Sequence, residues 1–213
     1  MSTLAISPNA AGSAQFTIAA PGTNTNRTLT LPDATTTLVG TDATQTLTNK
    51  TIQGGTITLD TAVASTSGTV VDFTGIPSWA KRITVMLSGV STNGTSNYQV
   101  QLGDSGGFET SGYSGNAILQ GTANANLSAG FVTSLSTSSG QNWSGTLVLT
   151  QLTGNTWIAN GQFAIPGGVG GGAANVFVAG TKTLSDVLTQ VRLTTVGGSN
   201  TFDAGTVNIQ IEG

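Results

Sequence analysis

The chain has 213 residues, of which 37% are hydrophobic and only 7% are charged, with 30 glycines and neither cysteine nor histidine. This composition excludes disulfides, thiolate and imidazole metal sites, and catalytic triads that need histidine. The net charge of −3, with six lysines and arginines in all, cannot neutralise a run of phosphates, so no nucleic-acid partner is expected. No apolar run approaches the ~20 residues of a membrane span, and no signal peptide is recognisable.

Residues 1–64 read as an extended, strand-rich attachment or stem segment. Two short strands are expected around the turn at Pro21-Gly22, and Pro32 ends the second because proline cannot donate to a strand ladder. The phrase Asp33–Leu38 (DATTTL) then recurs as Asp42–Leu47 (DATQTL). Exposed on a monomer, the apolar residues of this segment would form a stripe beside free strand edges, which favours association of several chains. These predicted oligomer and anchor residues are Leu29, Leu31, Leu38, Val39, Leu47 and Ile52.

Residues 65–213 read as an all-β knob. Ile83, Val85 and Leu87 occupy alternate positions, as one face of a core strand does. Asn93-Gly94 predicts a hairpin turn, and Gly154-Asn155 predicts a second antiparallel hairpin between the strands that flank it. About eight to ten antiparallel strands with glycine-rich turns predict a β-sandwich, jelly-roll-like in form. The clearest predicted strands are Thr69–Phe73, Lys81–Ser88, Tyr98–Leu102, Gly145–Leu152, Trp157–Ile165, Asn175–Val178, Gln190–Thr194 and Gly205–Ile211.

The segment from Leu31 to Thr51 (LPDATTTLVGTDATQTLTNKT) resembles a phrase of fibre and other virion proteins of tailed bacteriophages. Residues 71–87, 101–107 and 202–209 resemble the C-terminal domain of the same proteins. The resemblance implies a homotrimer whose N-terminal segment binds other virion proteins of the tail, baseplate or capsid. It also implies a protein made in the host cytoplasm and exposed on the virion surface, as a tail fibre, a receptor-binding knob or a head fibre.

Catalytic and cofactor sites are not expected. Asp104 and Glu109 are the closest carboxylate pair of the knob, but their Gly/Ser-rich surroundings favour turn residues over the facing carboxylates of a glycosidase. A formal G-x-G-x-x-A begins at Gly168, yet a strand follows it, where a dinucleotide site needs a helix. A projecting strand-to-strand loop is the better interpretation.

Aromatic residues in apparent loops are the candidate contacts for a ligand. Tyr113 and Trp143 lie in the polar stretches 112–115 and 141–144, where they would serve either a glycan or a subunit contact. The glycine loop supplies the other predicted ligand residues, Gly168, Gly170 and Gly172.

The sequence therefore predicts a non-enzymatic virion protein, a trimeric fibre or spike that attaches to the host surface through glycans. The alternative is a head fibre or capsid decoration protein without an essential receptor. A polysaccharide-cleaving tailspike is disfavoured because the carboxylate constellation is missing.

Overall fold

The computed structural model describes Gly22 and residues 57–120, 123–165 and 174–213. The strands predicted around Pro21, the six apolar anchor residues and the glycines at 168, 170 and 172 lie outside these residues. The prediction of a stem segment at 1–64 is consequently addressed only over its last residues, 57–64.

The described residues form an all-β structure with antiparallel strands, which confirms the all-β part of the predicted fold class. Within them no helix is long and apolar enough to cross a membrane. The strands are β1 (Ile57–Leu59), β2 (Val63–Ala64), β3 (Val70–Thr74), β4 (Arg82–Thr92), β5 (Tyr98–Asp104), β6 (Gly107–Phe108), β7 (Tyr113–Leu119), β8 (Ala123–Asn126), β9 (Phe131–Val132), β10 (Trp143–Thr153), β11 (Thr156–Ile165), β12 (Ala174–Thr183), β13 (Gln190–Thr195) and β14 (Phe202–Glu212).

Nine of these strands form one large sheet, in the order β1-β14-β4-β10-β11-β12-β7-β8, with β2 also pairing with β14. The predicted core face of β4 is confirmed, since Ile83, Val85 and Leu87 are buried. The strands β10, β11 and β12 follow one another as antiparallel neighbours, so the hairpin predicted around Gly154-Asn155 is also confirmed. Alternating burial leaves the other face of this sheet open to solvent.

The second sheet has five strands, in the order β3-β13-β5-β6, with β9 also pairing with β5. Buried residues of both sheets belong to one hydrophobic core, which makes the arrangement sandwich-like. Two edge-to-face aromatic pairs join the sheets: Tyr98 of β5 with Phe202 of β14, and Tyr113 of β7 with Phe131 of β9, at centroid distances of 5.6 and 5.0 Å.

The hairpin predicted at Asn93-Gly94 is wrong, because β4 belongs to the large sheet and β5 to the small one. Asn93 instead exchanges hydrogen bonds with Thr201: its N–H donates to the Thr201 carbonyl, and its side chain accepts the Thr201 N–H. The side chain of Asn200 accepts the N–H groups of Thr95 and Ser96. Residues 93–96 can therefore cross from one sheet to the other, since Asn200 and Thr201, in the connection before β14, form hydrogen bonds with their backbone N–H groups.

Candidate ligand-binding face

Tyr113 is the first residue of β7 rather than part of a loop, and its side chain is buried. The Leu102 N–H donates to its hydroxyl at 2.7 Å, and the hydroxyl donates to the Glu109 carbonyl at 3.0 Å. Burial raises the pKa of Tyr113 well above its usual range. The predicted loop position is therefore wrong, and the side chain has a structural role that leaves no ring face for a ligand.

Trp143 is likewise the first residue of a strand, β10, and its side chain is fully buried opposite Val90 of β4. Tyr113 and Trp143 also lie far apart. Tyr113 of β7 pairs with Lys182 of β12, which pairs with Trp157 of β11, which in turn pairs with Gln151 of β10. Tyr113 is therefore at the level of Gln151 in the sheet. Since a strand rises about 3.3 Å per residue, Trp143 lies roughly 26 Å from that position. The two aromatic residues therefore do not form one site.

Asp104 and Glu109 belong to a hydrogen-bonded cluster that ties the β5–β6 turn to the connection after β12. Glu109 forms an ion pair with Lys182, which is buried, and accepts the Ser185 N–H at 2.7 Å. Asp104 accepts the N–H groups of Gly106 at 2.8 Å and Asp186 at 3.0 Å. The Ser185 hydroxyl lies between the two carboxylates, 2.7 Å from Asp104 Oδ2 and 2.8 Å from Glu109 Oε1.

These contacts also set the charge state of the cluster. The Ser185 hydroxyl, together with the Gly106 N–H, lowers the pKa of Asp104. Burial raises the pKa of Glu109, but the hydrogen bonds from Lys182 and Ser185 outweigh it and hold the pKa below its ordinary value. A general acid needs the opposite shift, so the arrangement fits two ionised structural carboxylates. Across the described ranges, no three acidic or other ligating side chains cluster as a metal site would require.

The outward face of the large sheet presents a different chemistry. Along β10, β11, β12 and β7, one cross-strand row consists of Thr146, Gln162, Phe177 and Ile118. The parallel row two residues away consists of Val148, Asn160, Ala179 and Asn116. Hydroxyl and amide groups are therefore interleaved with apolar side chains on a flat surface.

An open groove of about 410 Å³ crosses this face. Its volume lies at the lower end of the ~300–1,000 Å³ typical of small-molecule sites. Phe177 borders the groove and is 45% exposed, which is unusual for an aromatic residue in the middle of a sheet. The groove is lined by Thr146, Val148, Asn160, Gly161, Gln162, Phe177 and Val178, which we call the Phe177 groove.

The Phe177 groove lies in an uncharged field. Of the described residues in β7, β10, β11 and β12, Lys182 alone carries a formal charge, and it is buried on the inner side. Arg82 and Glu212, at the corner of the sheet beside β10, pair with each other at 3.6 Å. A ligand on this face would meet hydrogen-bonding groups and a ring, without a fixed charge.

The sequence alone does not single out this groove. Phe177 stands between Val176 and Val178, so the run reads as uniformly apolar and hides which residue faces outward. A usable signal is the alternation of Asn160 and Gln162 with buried Ala159 and Phe163 along β11. That alternation marks a polar outward face, which the register then extends to Phe177.

Comparison of the chain with protein-family models, with curated proteins and with solved structures found no match. The described residues define an all-β, sandwich-like protein whose large sheet carries an uncharged, partly aromatic groove on its outward face.

Proposed function

We propose that this chain is a non-enzymatic structural protein of a bacteriophage virion, a trimeric fibre or spike that attaches to glycans on the host surface. The N-terminal segment anchors it to a tail, baseplate or capsid protein. Residues 65–213 form the terminal knob, with a jelly-roll-like path of the chain. The proposal joins the resemblance of the sequence to phage fibre proteins with the chemistry of the Phe177 groove.

The observation that carries the proposal is the exposed ring of Phe177 beside outward-facing amides. Sugars present apolar C–H faces and rings of hydroxyl groups, so an aromatic face flanked by Asn160 and Gln162 matches both parts. Such a site on a rigid sheet needs no rearrangement to bind. A flat, solvent-open groove also suits a chain end or a side branch of a cell-surface polymer.

The carboxylate geometry supports a binding role over a catalytic one. Asp104 and Glu109, which a hydrolase would need free, already accept hydrogen bonds from Ser185 and neighbouring backbone N–H groups. Their lowered pKa values disfavour proton donation to a leaving group. Asp104 ends β5 and Glu109 follows β6, so both belong to the small sheet and not to the face that carries Phe177.

Exposed apolar groups near the start of the described residues support association of copies. Ile57 and Leu59 of the edge strand β1 are 61% and 63% exposed, and Trp79 is 41% exposed in the neighbouring groove. An exposed edge strand with apolar side chains is the kind of surface that pairs with another chain. Several weak sites on one oligomer, and many oligomers on one particle, raise avidity by orders of magnitude.

The test uses virus particles that carry this protein and the cells that they infect. Gold-labelled antibody against the protein should mark the tail tip, and purified full-length protein should block particle adsorption. Labelling over the whole head, with no block of adsorption, would favour a capsid decoration protein and overturn the attachment proposal. Sedimentation that shows a stable monomer at micromolar concentration would overturn the trimer.

A further inference from the structure

We propose that the Phe177 groove is a subsite for an uncharged sugar ring and discriminates against acidic sugars. The inference rests on the proposed attachment function and assigns to it a place, a platform residue and a class of ligand. Phe177 acts as the stacking platform, and the amides of Asn160 and Gln162 bind hydroxyl groups.

Phe177 is available for stacking because its neighbours do not cover it. It lies between Gln162 of β11 and Ile118 of β7 in the cross-strand register, and both are on the same outward face. Ile118 is itself 51% exposed, so the aromatic ring and this aliphatic side chain form one raised apolar strip. The strip gives the C–H face of a pyranose a surface without a polar group to desolvate.

The hydrogen-bonding groups stand beside that strip. Asn160 and Gln162 are two residues apart on β11, so their side chains lie about 7 Å apart on one face. Each amide offers both donors and an acceptor, which is the pattern that a sugar hydroxyl satisfies. Gln162 Nε2 lies 3.4 Å from Asn175 Oδ1, a long hydrogen bond that a ligand hydroxyl can replace.

Charge supplies the selectivity. In the described part of the groove no lining residue is charged, and the Lys182 ammonium of the same strand as Phe177 is occupied by Glu109 on the other side of the sheet. A carboxylate placed here would lose water without gaining a cation. We expect a uronic acid to bind at least roughly tenfold more weakly than the matching neutral hexose.

The test is saturation-transfer difference NMR on the full-length chain, with about 10 mM sugar because one stacked ring gives millimolar-class affinity. The neutral probes are glucose, galactose and mannose, and the acidic probes are their C6 acids, glucuronic, galacturonic and mannuronic acid. We expect at least one neutral sugar to give signal, and its C6 acid to give little or none. Absence of signal from every neutral probe, or equal signal from the acids, would overturn the inference.

Variants of Phe177 locate the site. Phe177→Tyr keeps an aromatic face and should keep the signal, whereas Phe177→Leu keeps the apolar bulk without the ring and should lose most of it. The matched remote control is Leu152→Ala, another exposed apolar residue, which should bind as the wild type does. Equal signal from wild type and Phe177→Leu would overturn the site. Circular dichroism and thermal melts establish that each variant is folded.

A second copy of the chain is the competing occupant of this face, and sedimentation decides it. If Phe177→Leu or Phe177→Ala dissociates the oligomer, the groove is a subunit contact and the sugar inference fails. Failure of the proposed function has a separate signature. Neutral sugar binding that depends on Phe177, in a protein that does not block particle adsorption, would leave the sugar site standing and remove attachment.

Discussion

The hydroxyl of Tyr113 accepts a hydrogen bond from β5 between the stretches where β9 and β6 pair with that strand. Removal of this hydroxyl should lower the stability of the protein by a measurable amount. The outer edge of β5 pairs with β9 at Gln99–Val100 and with β6 at Gly103–Asp104. Between these contacts the Leu102 N–H has the Tyr113 hydroxyl, at 2.7 Å, as its acceptor. Tyr113→Phe keeps the buried ring and its packing but leaves this N–H without that acceptor. The lost hydrogen bond can therefore be separated from loss of volume.

The expected size of the effect follows from the burial of both partners. Leaving a buried donor without its acceptor destabilises a protein by about 1–3 kcal/mol. At roughly 2–4 °C per kcal/mol for a domain of this size, the melting temperature should fall by several degrees. Tyr98→Phe is the control for removal of a buried hydroxyl, because Tyr98 is equally buried and its hydroxyl, although it lies beside Thr92, forms no hydrogen bond of normal geometry with any described residue. Its removal should change stability by less than about 0.5 kcal/mol.

The assay is urea denaturation of the full-length chain followed by tryptophan fluorescence. The three tryptophans, Trp79, Trp143 and Trp157, all belong to the described β structure, so their fluorescence reports its unfolding. The midpoint should fall for Tyr113→Phe, with an unchanged dependence on urea. A Tyr113→Phe protein as stable as the wild type, or a Tyr98→Phe protein as destabilised as Tyr113→Phe, would refute the reasoning.

Three further perturbations test the core, the packing between strands and the ion pair. Trp143→Ala should lower the free energy of unfolding by about 3–5 kcal/mol in urea titrations, because it removes a buried ring from the core. The sugar signal of the folded variant should stay unchanged. Loss of sugar binding without loss of stability would contradict the core position of Trp143. Gly145→Ala should destabilise the protein by at least about 1–3 kcal/mol, because a Cβ there would overlap the Gln162 carbonyl of β11. Its control is Gly154→Ala, which has open space around it and a φ of 51°, and which should cost only about 1 kcal/mol in the same urea titrations. Lys182→Met should cost about 2 kcal/mol near pH 7, below the 3–5 kcal/mol of a fully buried pair. Because the pKa of Glu109 is lowered in the folded state, its contribution is present above the unfolded pKa, about 4.3, and is lost as the pH falls through the folded pKa. Melts between about pH 2 and pH 7 should therefore show a smaller gap between Lys182→Met and wild type in acid; a constant gap would rule out the ion pair as its cause.

Strands whose apolar residues alternate cleanly could be predicted from the sequence. β4 alternates from Arg82 to Ser88, and β10 and β11 are joined by the turn at Gly154-Asn155, so period and turn chemistry both indicate the correct structure there. The sequence could not show which sheet each strand joins, because partners such as β4 and β14 are more than a hundred residues apart. For the same reason the dipeptide Asn93-Gly94 predicts a hairpin turn, whereas Asn93 in fact pairs with the distant Thr201.

Glycines inside strands explain why the sequence wrongly predicts loop positions for Tyr113 and Trp143. Gly115 follows Tyr113 inside β7, and Gly145 follows Trp143 inside β10; at each position a Cβ would overlap the backbone of the adjacent strand. Here glycine allows two strands to approach closely, so the flanking aromatic residues belong to the core rather than to loops. The outward position of Phe177 could not be predicted, because a run of apolar residues does not reveal which member faces outward.

The position of β14 inside the large sheet has a consequence for how the molecule is made. β14 pairs with β4 on one side and with β1 and β2 on the other, so it joins segments whose synthesis is separated by most of the chain. Until residues 202–212 have left the ribosome, β4 has an open edge and the buried face of the sheet is incomplete. Such non-local pairing makes folding slow and exposes strand edges while it proceeds. We expect a nascent chain halted before β14 to remain sensitive to protease and to bind chaperones, and the knob to close only after synthesis passes that strand.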